Sequence, residues 1–283
     1  MTPQNEQATQ TLGPLVSHHG RSRTAIVPLI AAIVFLLCSA VIPLALMSGA
    51  RVDPTKLPLL IGVSVGMVVV GLLMVLGWKL TALKTELALH EHGVAVYRRG
   101  TALVESVPFV DMADVYLFRT GGYAGGIINA LAFRRSPQDP WVDVLDNRRN
   151  SFALRAAIVE GQVVARLPVA LAAIDAGEAV RFHAIDRSTR LTKRLIGGML
   201  KVDAHAVDLG ATRIDVQGTT IPLARIHRIE GAGSDGTIRL LDEQGKLVHA
   251  FDYLCLFSAD LFLAALAELI DRRTPAYQGL MAH

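Results

Sequence analysis

The stretch Leu57–Trp78 reads LPLLIGVSVGMVVVGLLMVLGW and contains no charged side chain. A second uncharged stretch precedes it, TAIVPLIAAIVFLLCSAVIPLALMSGA over residues 24–50. A helix needs about 20 predominantly apolar residues to cross the hydrocarbon core of a bilayer, and each stretch supplies them. Because lipid offers no hydrogen-bond partners, each stretch must satisfy its backbone internally. The pattern predicts two transmembrane helices, Ala25–Met47 and Leu59–Leu80, joined as a hairpin by a short, turn-rich connector.

Small residues in the second helix indicate where another helix can approach it closely. Gly62 and Gly66 form a G-x-x-x-G pair, which is typical of closely packed membrane helices. The first helix offers small residues at Ala31, Ala32, Ser39 and Ala40. We therefore expect Gly62 and Gly66 to pack against the first helix or against a second copy of the chain, so the pattern allows a homo-oligomer.

Positive charge is concentrated next to these helices. Residues 1–85 carry six Lys/Arg and two acidic residues, whereas residues 86–176 have a net charge of −1 and residues 177–283 are neutral. The basic pI of about 9.0 therefore reflects the membrane-flanking positions and does not indicate nucleic-acid binding. The outer ends of the hairpin are flanked by Arg21, Arg23, Lys79 and Lys84. By the positive-inside rule, this distribution favours a cytoplasmic location for both termini and for the soluble part.

The remaining N-terminal sequence and the cysteines carry little structural information. Residues 1–24 are rich in Gln, Thr and His and are predicted to form a disordered tail. A cleaved signal peptide is not favoured, because its apolar core would span only about 7–15 residues. Cys38 and Cys255 are far apart in the chain and do not form a disulfide framework, which suits a reducing compartment.

Beyond Glu86 the apolar residues alternate over short runs, as they do in β-strands. Two sets of such runs occur, with glycines at the turns. Each set contains an apolar-proline-apolar step, Val107-Pro108-Phe109 in the first and Ile221-Pro222-Leu223 in the second. Each then continues with a strand that ends in Leu-Asp, a polar turn, another strand and a helix. The sequence predicts two similar domains, residues 86–176 and 177–273, followed by a tail of residues 274–283.

Each predicted domain ends in a helix. In the second domain Ser258 is the predicted N-cap, because its hydroxyl could accept a hydrogen bond from a free backbone N–H of the first turn. The apolar face of that helix comprises Leu261, Phe262, Leu266, Leu269 and Ile270. In the first domain the predicted helix covers Ile158–Ala176 and is interrupted at Pro168, because proline removes a helical hydrogen bond.

About seven strands followed by an amphipathic helix resemble a pleckstrin-homology-like (PH-like) domain. The whole chain resembles bacterial membrane-anchored proteins of unknown function in which a transmembrane helix pair precedes tandem PH-like domains. The resemblance implies a membrane α-helical hairpin followed by an α+β part, with two PH-like open β-barrels each closed by a C-terminal helix. It also implies a bacterial inner-membrane location. The chain departs from the pattern in its long Thr120–Asn129 insert, and Phe109 and Leu223 replace the usual tryptophan after the proline.

Three pairs of adjacent arginines in the first domain are candidate interaction residues: Arg98 and Arg99, Arg134 and Arg135, Arg148 and Arg149. Adjacent strand residues face opposite ways, so such pairs are typical of solvated hairpin tips. Near an anionic leaflet each exposed arginine would gain about 1 kcal/mol. Tyr123, at the centre of GGYAGG in residues 121–126, is a further candidate contact for lipid or protein. The glycine run lacks the Lys-Ser/Thr of a phosphate-binding loop.

No pattern indicates a catalytic residue, a metal site or a cofactor site. His90-Glu91-His92 places two histidines on one strand face, but a third ligand is not nearby and the His-Glu-x-x-His spacing is absent. We expect a non-catalytic binding or scaffold protein that docks a protein or an anionic lipid headgroup, although a fold alone does not define a ligand. Two alternatives are an immunity-type protein that neutralises a membrane- or periplasm-acting toxin, and a membrane-tethered enzyme.

Overall fold

The computed structural model describes residues 11–20, 26–49, 55–80, 85–98, 103–119, 128–146, 148–188, 204–231 and 236–272. Two apolar helices, α1 (Val27–Met47) and α2 (Leu57–Leu80), lie side by side. Their bounds agree with the two predicted helices to within two residues at each end. Among the described residues, three helices are long and apolar enough to cross a membrane: α1, α2 and a third helix introduced below. The protein is therefore membrane-associated through its apolar helices.

The contact between α1 and α2 is centred on Gly71 rather than on the predicted glycines. A Cβ built at Gly71 would lie 3.0 Å from the Leu36 side chain, so α1 packs directly on this glycine. The hydroxyl of Ser64 donates a hydrogen bond of 2.6 Å to the Ser39 carbonyl across the pair. Ala32 and Ser39 of α1 are buried, as the small-residue pattern predicted.

The prediction that Gly62 and Gly66 pack against the first helix is wrong. Both glycines are exposed, and no described atom lies within 4 Å of a Cβ built at either. Gly71 and the G-x-x-x-G pair lie on different faces of α2, and the face with Gly71 is the one that contacts α1.

The first soluble unit contains two antiparallel sheets and a long helix. Its first sheet has the strand order β1-β2-β3-β4 and its second has the order β5-β6-β7. The strands are β1 (Leu15–His19), β2 (Thr85–His90), β3 (Gly93–Arg98), β4 (Leu103–Pro108), β5 (Asp114–Phe118), β6 (Ala130–Arg134) and β7 (Val142–Val144), followed by α3 (Ser151–Asp175). The core between the sheets and α3 includes Phe109, Met112, Phe133, Leu154 and Ile158.

Strand β1 corrects the prediction of a disordered N-terminal tail. Leu15–His19 pairs antiparallel with β2, from Leu15 opposite His90 to His19 opposite Leu87. The Nδ1 of His19 also lies 2.9 Å from the Arg149 carbonyl. Residues 1–10 of the predicted tail lie outside the described residues. Because β1 precedes α1 and β2 follows α2, the apolar hairpin is inserted between two neighbouring strands of one sheet.

The second unit has the same order of sheets. One sheet contains the order β11-β10-β9-β8, the other has the order β12-β13-β14, and a helix follows. The elements are β8 (Val180–Ala184), β9 (His205–Leu209), β10 (Arg213–Val216), β11 (Thr219–Pro222), β12 (Arg228–Glu230), β13 (Thr237–Leu241), β14 (Leu247–Asp252) and α4 (Ala259–Asp271). In both units the strand that ends in proline, Pro108 or Pro222, is followed by one 3-10 turn.

Helix α3 runs without interruption through Pro168, so the predicted break at this residue is wrong. The ring of Pro168 lies on an exposed face, where the loss of one N–H donor leaves a carbonyl that water can reach. Although α3 is long and apolar enough to cross a membrane, it buries the polar residues Arg155 and Gln162 and packs against α4 and the first unit. This packing places α3 within the soluble part.

Candidate interaction surfaces

A buried ion pair joins the two units at the start of β5. The Asp114 carboxylate lies 2.6 Å from the Arg134 guanidinium, and both side chains are nearly inaccessible, at 3% and 11% exposure. The other carboxylate oxygen of Asp114 lies 2.9 Å from Nδ1 of His183 in the second unit. Arg134 also donates to the carbonyl of Pro137. Arg134 is therefore part of the junction and does not form the solvated tip that the sequence predicted.

Ser258 joins the units through its backbone and its side chain. Its N–H donates to the Val115 carbonyl at 2.6 Å, and its hydroxyl accepts a hydrogen bond from the Val115 N–H at 3.0 Å. The amide of Gln162 on α3 donates both to this hydroxyl and to the Met112 carbonyl. Ser258 is the N-cap residue of α4, as predicted, but its backbone is left-handed (φ 51°) and its hydroxyl does not make the expected capping hydrogen bond. Its hydroxyl instead accepts hydrogen bonds from Val115 and Gln162 of the first unit.

Aromatic rings fill the space beside this network. Trp141 and Phe257 meet edge to face with ring centroids 5.2 Å apart, and Tyr116 lies 5.1 Å from Phe257. The Arg134 guanidinium stacks over Trp141 at 4.4 Å from the ring centroid. Pairs of aromatic rings add about 0.5–1.5 kcal/mol of stability beyond that of their burial. The junction is a packed structural interface between the units.

Arg148 is also buried, which corrects its assignment to a solvated tip. It is 4% exposed and donates to the Thr85 carbonyl and to the Thr85 hydroxyl. Burial lowers the pKa of Arg148 to about 10, against the opposing influence of Asp143 and Glu86. Arg148 therefore ties the start of β2 to the segment that precedes α3.

The remaining predicted arginines do not form one patch. Arg98 is exposed and lies opposite Thr85 at the end of β3, whereas Arg135 is exposed and pairs with Asp111 at 3.0 Å. Asp111 lies just after Pro108, which pairs with Gly93 at the start of β3. The ion pair between Arg135 and Asp111 is therefore near the opposite end of β3 from Arg98. Arg149 is exposed. It is close to Thr85, because the neighbouring Arg148 donates a hydrogen bond to the Thr85 carbonyl. Arg99 and Tyr123 lie outside the described residues.

Sequence reasoning missed an apolar groove along the outer face of α3. Phe152, Val164 and Val169 of this helix are 55%, 69% and 56% exposed. A groove of about 530 Å³ lies beside them and reaches β5 of the first unit and the start of α4 in the second. It is lined by Leu117, Ile128, Phe152, Arg155, Ala156, Val159, Glu160, Val163, Val164, Tyr253 and Asp260.

The polar groups of the groove lie at its margins. The Tyr253 hydroxyl donates a hydrogen bond of 2.7 Å to Asp260. Burial, and then the neighbouring Asp260 carboxylate, raise the pKa of Tyr253 well above its usual range, so the phenol stays protonated. Arg155 donates to the carbonyls of Asn129 and Ile128, which occupies its guanidinium. Glu160 is exposed, so the accessible charges at the margin are acidic.

A signal for this groove is present in the sequence. Residues at positions 152, 156, 159 and 163 recur every three to four residues and are apolar, which is the spacing of one helical stripe. The buried residues Leu154 and Ile158 form a separate stripe on the same helix. Since the predicted helix began only at Ile158, the outer stripe was not recognised.

A second, smaller pocket of about 270 Å³ lies on the other side of Val164. The pocket is bounded by Phe109, Val110, His92 and Gly161, so Val164 projects between the two concave surfaces. Gly161 is required here, because a Cβ would lie 2.4 Å from the Phe109 ring. The outer face of α3 thus offers an exposed apolar ridge with a hollow on each side.

The two histidines singled out in the sequence differ in their surroundings. Nδ1 of His90 lies 2.9 Å from the Gly13 carbonyl, while His92 is exposed and borders the smaller pocket. Within the described ranges, no group of three or more His, Cys, Asp or Glu side chains could hold a metal ion. Cys38 is exposed and Cys255 is buried, and neither forms a disulfide within the described part of the chain.

Comparisons of the chain with protein-family models, with curated proteins and with solved structures found no match.

Proposed function

We propose that this protein is a non-catalytic binding or scaffold protein of the bacterial inner membrane. The apolar hairpin anchors it, and two PH-like domains extend into the cytoplasm. The groove on α3 receives an amphipathic helix of a partner protein. The exposed apolar stripe of α3 is the observation that carries this proposal.

The order of sheets supports the PH-like part of the proposal. Each unit has a four-stranded sheet, a three-stranded sheet and a helix that follows them. This is the arrangement that the sequence resemblance implies for an open barrel closed by a helix. The basic residues at the outer ends of the hairpin, Arg21, Arg23, Lys79 and Lys84, support the cytoplasmic orientation.

The dimensions of the groove support a helical partner. At a rise of about 1.5 Å per residue, α3 is long enough for several turns of a second helix to lie along it. Ala156, Val159 and Val163 line the groove at helical spacing, and recognition of this kind uses apolar side chains of the partner at i, i+3 or i+4, and i+7. A partner helix would cover Val164, which is 69% exposed.

The charges at the groove margin define the chemistry of that partner. Glu160 is exposed and Asp260 lines the groove, whereas Arg155 is occupied by backbone carbonyls. Complementary charges improve the specificity and the association rate of a complex. We therefore expect Lys or Arg beside the apolar stripe of the partner helix.

The test is site-specific photo-cross-linking in the native membrane, with a photoreactive amino acid at position 164. The cross-linked segment, located by mass spectrometry, should be an amphipathic helix of another protein with basic flanks. A peptide of that segment should bind the full-length protein in detergent. Val164→Asp should weaken its binding at least tenfold, because a charge would enter an apolar contact, and Glu160→Lys should weaken it through repulsion.

The matched control is Leu247→Asp, since Leu247 is an apolar residue of β14 with 53% exposure. It should leave the binding constant unchanged. A cross-link to a second copy of the chain or to lipid alone would overturn the proposed partner. So would a peptide whose binding is insensitive to Val164→Asp.

A further inference from the structure

We propose that one edge of the first unit binds anionic lipid headgroups through Arg98 and Arg149. The structure brings these two exposed arginines to the place where the chain enters and leaves the apolar hairpin. We call this surface, formed by Arg98, Arg149 and Phe152, the membrane-proximal edge. The inference goes beyond the proposed partner binding, with which it shares Phe152, a residue that also lines the groove.

Chain connectivity places this edge close to the bilayer. Helix α2 ends at Leu80 and β2 begins at Thr85, so the two residues are separated by about 17 Å at most for an extended chain. Arg98 lies directly opposite Thr85 in the β2–β3 pair. The N–H of Arg149 donates to the Gly20 carbonyl at 2.9 Å, in the segment that leads into α1. Both connections to the hairpin therefore meet at the same edge.

Three acidic residues of this edge lie close to two buried arginines. Glu86 and Asp143 act on the buried Arg148, and Asp146 acts on Arg155. Among the described residues, neither Arg98 nor Arg149 has a carboxylate within ion-pair distance. Two exposed guanidinium groups are thus left to interact with phosphate groups outside the protein.

Phe152 adds an apolar contact next to these charges. It lies in the first turn of α3, three residues after Arg149, and is 55% exposed. The Arg155 guanidinium covers one face of its ring at 4.1 Å from the centroid. The first N–H groups of α3 lack a side-chain cap among the described residues, so the helix adds positive potential here. An aromatic side chain beside cations suits the interfacial region of a bilayer.

The size of the effect follows from general electrostatics. Each arginine near an anionic surface raises the equilibrium constant for contact with the membrane about fivefold. The attraction decays over a screening length of about 8 Å at physiological ionic strength. Together, Arg98 and Arg149 should hold the first unit against an anionic leaflet. Above a neutral leaflet the first unit should be less restrained, because this attraction is absent.

The experiment uses the full-length protein in lipid nanodiscs that contain brominated phosphatidylcholine as a fluorescence quencher. Phe152→Trp is combined with Trp78→Phe, so that the indole at the edge is observed against the constant signal of Trp141. Quenching should be stronger when phosphatidylglycerol is included than in neutral discs. The increase should disappear at about 1 M salt, where the screening length falls to about 3 Å.

Arg98→Gln with Arg149→Gln should abolish the dependence on phosphatidylglycerol, whereas Arg98→Lys with Arg149→Lys should retain it within twofold. The charge-matched control, Arg213→Gln with Arg228→Gln, removes two exposed arginines of the second unit and should behave as the parent does. Equal quenching in neutral and anionic discs would overturn the proposal. A lipid dependence that survives the loss of both edge arginines would do the same.

Discussion

Arg134 and Arg135 are neighbours in the chain, but their side chains lie in different surroundings. Arg134 enters the junction between the units, where it meets Asp114 and Trp141, while Arg135 forms an ion pair with Asp111 on the surface. The pair with Asp111 is about half exposed, at 53% and 40%. Water and salt screen such a pair, whereas the buried pair is protected from both.

We predict that Arg134→Ala lowers the free energy of unfolding by about 3–5 kcal/mol, because it removes the guanidinium from the buried Asp114 carboxylate and leaves His183 as its remaining ion-pair partner. Arg135→Ala should cost less than about 1 kcal/mol. Thermal unfolding of both variants in detergent, followed by tryptophan fluorescence in a Trp78→Phe background, measures the difference. Equal midpoints for the two variants would contradict the structural role of the junction.

At the scale of elements, two helices illustrate how the face on which a residue lies decides its role. Both Gly62 and Gly71 belong to α2, but only Gly71 faces α1, where Leu36 packs on it. In α3 the inner stripe holds Leu154 and Ile158 against the sheets, while the outer stripe is exposed. A helix that is apolar on two faces therefore serves both the core and the surface.

We predict that Gly71→Leu destabilises the α1–α2 pair by about 1–3 kcal/mol, because the added side chain must displace Leu36. Gly62→Leu on the same helix is the control, since a Cβ there meets open space, and it should be nearly neutral. The midpoint of thermal unfolding in detergent measures both effects. If Gly62→Leu is the more harmful change, the helices pair through the other face.

On the scale of the whole molecule, the pairing of β1 with β2 constrains the topology. The two strands belong to one sheet but lie on either side of the hairpin in sequence. A sheet cannot form across a bilayer, because its strand-edge groups would be left unpaired in hydrocarbon. When α1 and α2 span the membrane, residues 11–20 and the two units must therefore lie on the same side.

We predict that epitope tags placed before Met1 and after His283 are equally accessible to protease in sealed membrane vesicles. The proposed cytoplasmic side is tested separately with alkaline phosphatase, which needs an oxidising compartment for its disulfides. A fusion after Arg273 should be inactive, and an insertion between Arg51 and Lys56 should be active. Different accessibility of the two tags would contradict the β1–β2 pairing. Reversed phosphatase activities would place the units on the outer side.

Local patterns were sufficient for the elements whose requirements are local. The apolar helices were predictable because backbone satisfaction in lipid depends on the composition of one continuous segment. The prolines at 108 and 222 marked strand ends, since their rings restrict the backbone and remove a donor. In both cases the physical cause lies within a few residues of the effect.

The tertiary structure decided every feature that depends on a distant partner. Arg134 and Arg148 are each followed directly by an exposed arginine, and only their contacts with Asp114, Trp141 and Thr85 distinguish them from these neighbours. The strand at residues 15–19 is short and has only two apolar residues, and it is ordered by the edge of β2 that only the fold supplies. The candidate surfaces likewise exist because α3 and the two hairpin connections converge in space. Sequence alone determined the apolar helices and the alternating strands after Glu86, because these patterns are local, and long-range packing determined which of their side chains remain free to bind.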